Sequence, residues 1–295
     1  MSEERFQYGG MAVLEGVMMR GPQEYCIAVR KADGSIVSQK KRLSSIYSRF
    51  PVLKLPIIRG IAAFVDSLVL GMSAITYSAN QFAETEEEEL SPKEIVLAIL
   101  MAFGFAVLLF VIVPTVAVRL LPSQEIMPIF LLNFLEGLVR LAVFLIYIFI
   151  ISRLKDFQRM FAYHGAEHKV ISAYEAGEDL SVENVRKYTT RHPRCGTSFL
   201  LIVMLVSILV FSLLRSRDVL FRILMRIILL PLVAGLAYEV IKIAGRSNNK
   251  LVKLFTLPGL WLQALTTREP DDAQLEVAIT ALKGALIPRI TAKEV

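Results

Sequence analysis

The sequence predicts a mainly α-helical membrane protein with about four transmembrane helices and a small α+β cytoplasmic portion of N-terminal strands and amphipathic helices. Three observations carry this. Hydrophobic residues make up 55% of the 295 positions and mean hydropathy is +0.55, above the usual range of soluble domains. Apolar runs of about 20 residues, long enough to cross a bilayer as helix, recur in the second two thirds of the chain. Polar, glycine-punctuated stretches precede, divide and follow them.

Residues 1–56 read as a strand-rich module. The apolar run from Gly9 to Pro22 is bracketed by turn formers and reads as strand or extended backbone. Tyr25 to Arg30, Asp33-Gly34 and Ser35 to Val37 read as a β-hairpin, because Asp-Gly supplies the tight turn. Glu15 is either a strand residue on a solvated face or a site carboxylate that the neighbouring glycines let backbone approach. Residues 57–94 read as an amphipathic helix and an acidic linker. Ile58, Ile61, Val65, Leu68 and Met72 keep a helical period. A crossing would bury Arg59 and Asp66 in hydrocarbon, so this helix is expected on the membrane surface or against the bundle.

Residues 95–152 hold the first two spans. Ser91-Pro92-Lys93-Glu94 opens the first with a capping box, and Pro114 is placed to kink it. The second carries Glu136 and Arg140, one helical turn apart, as a structural ion pair or a functional polar site. Residues 153–195 form a polar central loop, and residues 196–245 hold the third and fourth spans. Arg222 and Arg226 near the start of the fourth, and Glu239 and Lys242 near its end, are expected to snorkel to the interfaces. Residues 246–295 form a tail with an interfacial helix anchored by Trp261 and a last amphipathic helix beginning at Asp271-Asp272.

Charge sets the orientation. Lys and Arg number eleven in residues 1–94, eight in 153–195 and seven from 246 onward, against none in 122–127 and two in 215–218. Both termini and the central loop are therefore expected in the cytoplasm. The net charge of +6 suits anionic headgroups, so the lipid bilayer is the expected partner. No basic stripe interleaved with aromatics points to nucleic acid. Cys26 and Cys195 lie too far apart for a disulfide framework and fit a reducing compartment. The start has no basic n-region leading into an apolar core, so no cleaved signal peptide is expected.

The central loop gathers the chemistry. His164, His168 and His192 are the three histidines of the chain, and Cys195 is one of its two cysteines. Residues 155–176 read as a helix, continuing from the second span and ended by Gly177. His164 and His168 are then i and i+4 on one face, a spacing that lets two imidazoles hold one ion. Glu167 lies beside them. In the pattern His-x-x-Glu-His the histidines bind zinc and the glutamate is general base. His192 and Cys195 can bring a further imidazole and thiolate back to the pair. Glu175 is seven residues beyond His168, about 10 Å along a regular helix, and is left outside the same ion's reach. If all four of His164, His168, His192 and Cys195 bind, the site is closed and structural. If one position is open to water, Glu167 serves a hydrolytic site. The plainer alternative makes the histidines polar residues below the bilayer.

Several long motifs resemble the YqhQ-like family of bacterial membrane proteins. They are residues 9–22, His164 to Lys169, Glu183 to Tyr188, His192 to Phe199, Pro258 to Gln263 and Thr266 to Asp272. Met11 stands where that pattern carries Gln. The family is of unknown function and is described as predicted metal-dependent enzymes. The resemblance therefore implies a multi-pass protein of the bacterial cytoplasmic membrane. Three functions are weighed: a metal-dependent hydrolase at the cytoplasmic face acting on a peptide or lipid-like substrate; a scaffold or regulator with a structural metal site; and a transporter using Glu136, Arg140 and Glu239 as a polar path. Four spans without a repeat make the last the weakest.

Overall fold

The computed structural model describes residues 8–43, 50–82, 90–122, 125–192, 195–246 and 250–286. It begins with an antiparallel meander: β1 (Gly9–Val13), β2 (Gly16–Arg20), β3 (Glu24–Arg30) and β4 (Ile36–Arg42), in that spatial order. The turn through Asp33-Gly34 forms as expected, with Gly34 at φ 86°. The run from Gly9 is two strands, however. The chain reverses at Leu14-Glu15, with Glu15 at φ 50°, and β1 pairs with β2 from Gly9↔Arg20 to Val13↔Gly16. Neither central residue of this turn is glycine or asparagine, so the usual hairpin signal is missing.

The helices are α1 (Ile58–Asn80), α2 (Pro92–Arg119), α3 (Ile129–Ile151), α4 (Lys155–Ala176), α5 (Val182–Arg186), α6 (Gly196–Ser212), α7 (Val219–Arg246), α8 (Lys250–Thr266) and α9 (Asp272–Ala285). Capping boxes open α2 at Ser91 and α9 at Asp271. Gly177, at φ 82°, ends α4. Helix α4 does not continue α3, because Leu154 between them is extended.

Both faces of the sheet are covered. Val17, Met19, Cys26 and Ala28 pack on α4 and α9; Met18, Tyr25, Ile27 and Val29 pack on Leu70 and Ala74 of α1. A sheet buried on both sides shows near-continuous apolar strands in place of alternation, which is how β2 and β3 read. Burial also pushes the Cys26 thiol up from its ordinary pKa.

Among the described residues, four helices are long and apolar enough to cross a membrane: Ile58–Asn80, Pro92–Arg119, Ile129–Ile151 and Val219–Ala244. The expected set differs in one member. Helix α6 has 17 residues, about 25 Å at helical rise, just short of a hydrocarbon core of about 30 Å. It still runs antiparallel to α3, with Leu201 beside Phe144 and Ile148 and with Ile208 against Gly137. Helix α1 has the length, but the sheet lies along its second half. Arg20 holds Asp66 at 2.7 Å, and Leu70 and Ala74 enter the sheet core. Open sheet edges do not occur in hydrocarbon. Phe64, Val65, Leu68, Val69 and Ile75 form an exposed apolar stripe on α1, opposite the face that packs on the sheet.

The polar residues of the bundle correct two expectations. Arg222 and Arg226 do not snorkel; they are buried and both pair with Glu136. Glu239 is held by Arg59 at the start of α1, whose Nε donates to it at 2.7 Å. Arg140 does not hydrogen-bond Glu136. Its Nε donates to the Phe110 carbonyl at 2.7 Å, and its Nη1 to Ser207 Oγ at 3.3 Å. Pro114 has no N–H to offer the carbonyl four residues before it, so Arg140 takes the place of a helical hydrogen bond beside the π-helical turn Leu108–Ile112.

Nitroxide labels placed singly at positions 65, 68, 69 and 75 are expected to report one shallow depth in bilayers by power-saturation EPR. A depth that changes steadily along the series would mean that α1 crosses.

Candidate metal centre

The site is built on α4. The middle of this helix faces the sheet through Tyr163 and Ala166, while the neighbouring face carries His164, Glu167 and His168 toward β1 and the start of α6. His164 Nδ1 lies 2.7 Å from the Thr266 carbonyl, and His168 Nδ1 lies 2.6 Å from the Thr190 carbonyl. A carbonyl oxygen only accepts, so each Nδ1 carries the proton and each Nε2 is left with its lone pair. His164 Nε2 is 3.2 Å from Cys195 Sγ. The Thr197 N–H donates to that sulfur at 3.4 Å, where Cys195 caps α6.

Among the described residues, His164, His168 and Cys195 offer donor atoms that all lie within 4.8 Å of one another. Donors around tetrahedral zinc, with bonds of about 2.0–2.3 Å, stand roughly 3.3–3.8 Å apart. The set therefore fits such an ion with a small closing movement. Its chemistry fits too: two imidazoles oriented by backbone carbonyls, and one sulfur.

Glu167 is 5% exposed, with Oε2 3.9 Å from His164 Nε2 and 3.7 Å from His168 Nε2. Burial pushes its carboxyl up from the ordinary value; the His164 ring and a hydrogen bond from the Gly10 backbone act the other way. A Cβ on Gly10 would fall 2.9 Å from Glu167 Cγ and 2.6 Å from the Met18 carbonyl. Only glycine lets β1 come this close. Gly165 does the same on the other side: a Cβ there would lie 2.1 Å from the Arg268 carbonyl. That close approach docks residues 266–268 on α4, where the Arg268 N–H also donates to the Phe161 carbonyl at 2.9 Å.

The remaining candidates separate. His192 is near, its ring 5.7 Å from that of His168, but its Nε2 lies 3.5 Å from Glu175 Oε2. Its backbone is held by Gln263, whose amide accepts from the His192 N–H and donates to the His192 carbonyl, both at 2.9 Å. Glu15 points elsewhere on α4: it pairs with Arg159 and accepts from the Tyr163 hydroxyl at 3.2 Å. Glu136, Arg140 and Glu239 lie in the helix bundle, away from the cavity. Sequence reasoning did not single out the carbonyls of Thr190 and Thr266, the Gly10 backbone or Gln263. The Gly9-Gly10 pair was the one signal available, since adjacent glycines mark close backbone approach.

His164, Glu167, His168, His192 and Cys195 line a cavity of about 300 Å³ whose walls also include Met11, Met160, Phe161 and Leu200. Residues 55–287 match the family described as a protein of unknown function, DUF1385. The chain belongs to this family. It is also 36% identical to the uncharacterized protein YqhQ of Bacillus subtilis (strain 168), over 95% of this chain and 92% of that protein. No solved structure matches. The DUF1385 match takes in α4, Cys195 and the Thr266 segment but begins after the sheet, so Gly10 falls outside it.

Gly165→Ala is expected to push the Thr266 segment away and to cost about 1–3 kcal/mol, as overpacking does. Thermal melting of the purified protein checks this. An unchanged melting curve would mean that the close approach is not needed.

Proposed function

We propose that this DUF1385 protein is a hydrolase of the cytoplasmic membrane face, in which His164, His168 and Cys195 hold a divalent metal ion, zinc by donor type. The observation that carries this reading is the pair of carbonyl-oriented imidazoles, each presenting Nε2 beside a cysteine sulfur and a buried carboxylate on a cavity wall. When bound, such an ion supplies a Lewis acid that polarises a substrate carbonyl or phosphoryl oxygen.

The rest follows from the protein's own residues. Glu167 is the general base, taking a proton from a water molecule in the cavity. Burial strengthens its proton affinity, and the Gly10 backbone packs close beside it. His192 and Glu175 stand at the edge of the cluster, 3.5 Å apart. The apolar walls and the start of α6 suit a peptide or lipid-like substrate with an apolar segment. The excess of Lys and Arg on this side supports a cytoplasmic placement.

A second reading, a structural metal site, has one observation in its favour. The donors and the residues that orient them come from α4, the 190–195 loop and residues 263–268, so an ion would tie three segments together. The cavity beside the donors favours the hydrolase, since a structural site is closed.

Metal analysis of purified protein tests both. The native chain is expected to carry about one zinc per chain, as one such site holds one ion, and His168→Ala to lose it. Glu167→Gln is expected to keep metal and melting temperature but to fail to complement a deletion strain. Complementation by Glu167→Gln would favour the structural reading, and absence of metal from the native protein would reject both.

A further inference from the structure

At the end of the bundle opposite the metal centre, the structure assigns an anion site of phosphate class. Three guanidiniums meet one carboxylate there. Arg222 and Arg226 of α7 both pair with Glu136 of α3, and Arg140 lies one turn along α3 with its guanidinium 4.9 Å from the Phe211 ring centre. Arg140, Arg222 and Arg226 are 4%, 3% and 0% exposed, and Glu136 is 1% exposed. The neighbours that complete their hydrogen bonds are neutral: Asn133, Thr115, Ser207 and the Phe110 carbonyl. The cluster therefore holds three positive charges against one negative. Among the described residues, Arg140 Nη2, Arg222 Nε and Arg226 Nε have no hydrogen-bond partner. Buried charges are normally paired, and ionisable groups inside a membrane bundle usually mark a functional site.

A cavity opens onto this cluster. It measures about 330 Å³ and is lined by Arg222 and Leu132 at its inner end and by Arg119, Glu125, Arg217 and Val219 toward its mouth. That volume falls in the range of small-molecule sites, about 300–1,000 Å³. Its lining carries three arginines against Glu125. Arg119 ends α2 and Val219 begins α7, so the cavity sits where the spans end, at the level of lipid headgroups. Planar guanidinium forks match phosphate oxygens. The ligand is a phosphate group, carried by an anionic lipid or free in solution, entering past Arg119 and Arg217 to reach Arg222.

The test uses full-length protein in nanodiscs of phosphatidylcholine, read by melting temperature and by native mass spectrometry. One arm adds phosphatidylglycerol, a second adds inorganic phosphate to the phosphatidylcholine discs, and a third adds potassium chloride at matched ionic strength. Stabilisation by either phosphate source beyond the chloride arm is expected. The lipid arm alone would identify a headgroup, and the phosphate arm alone a soluble ion. The double variant Arg119→Gln with Arg217→Gln, altered only at the exposed mouth, is expected to weaken binding by about tenfold. Arg222→Lys, which keeps the charge beside Glu136 but removes the fork, is expected to do the same while the empty protein stays folded. Equal stabilisation by chloride, or an unchanged response in the mouth variant, would overturn the assignment.

Discussion

Two backbone carbonyls, those of Thr190 and Thr266, set the orientation of His168 and His164. Neither carbonyl belongs to the helix that carries the histidines. The site geometry therefore exists only when two distant segments are docked on α4, and the surrounding structure reads as the means of docking them. Gly165 removes the side chain that would keep residues 266–268 away, and Gln263 grips the His192 backbone from both sides. The sheet closes the third side by bringing the Gly10 backbone to Glu167. A buried carboxylate needs such a donor, because leaving it without one is costly.

Much of this was legible in the sequence where the signal is local. The i, i+4 spacing put His164 and His168 on one face, and Gly177, the Ser91 capping box and Asp271 marked helix ends through residues within a few positions of one another. The Asp33-Gly34 turn was equally plain. What was not legible depends on distant partners. Snorkelling and inward pairing look alike in one dimension, so Arg222 and Arg226 were expected at the interface until Glu136 appeared beside them. The same holds for Glu239 and Arg59, 180 positions apart. The Leu14-Glu15 reversal escaped because a non-glycine residue takes the left-handed conformation there, held in part by the Arg30 N–H on the Glu15 carbonyl at 2.9 Å.

In the membrane half, several polar side chains are set against groups that the helix backbone or a facing helix has left over. Pro114 frees a carbonyl and Arg140 fills it. Thr115 returns its hydroxyl to the Val111 carbonyl and receives Arg226. Polar groups at depth hold α2, α3 and α7 together by geometry that apolar packing alone would not specify, since lipid tails compete equally for apolar side chains.

The two-sided burial of the sheet bears on how the chain is made. Strands β2 and β3 precede the candidate spans in the chain, yet one of their faces is completed by Leu275, Ala278 and Leu282 of α9. Every bilayer-crossing segment is synthesised in between. Until then that face is covered only in part, by Tyr163, Ala166 and Val170 of α4. That face is closed only once α9 has been made, after the spans.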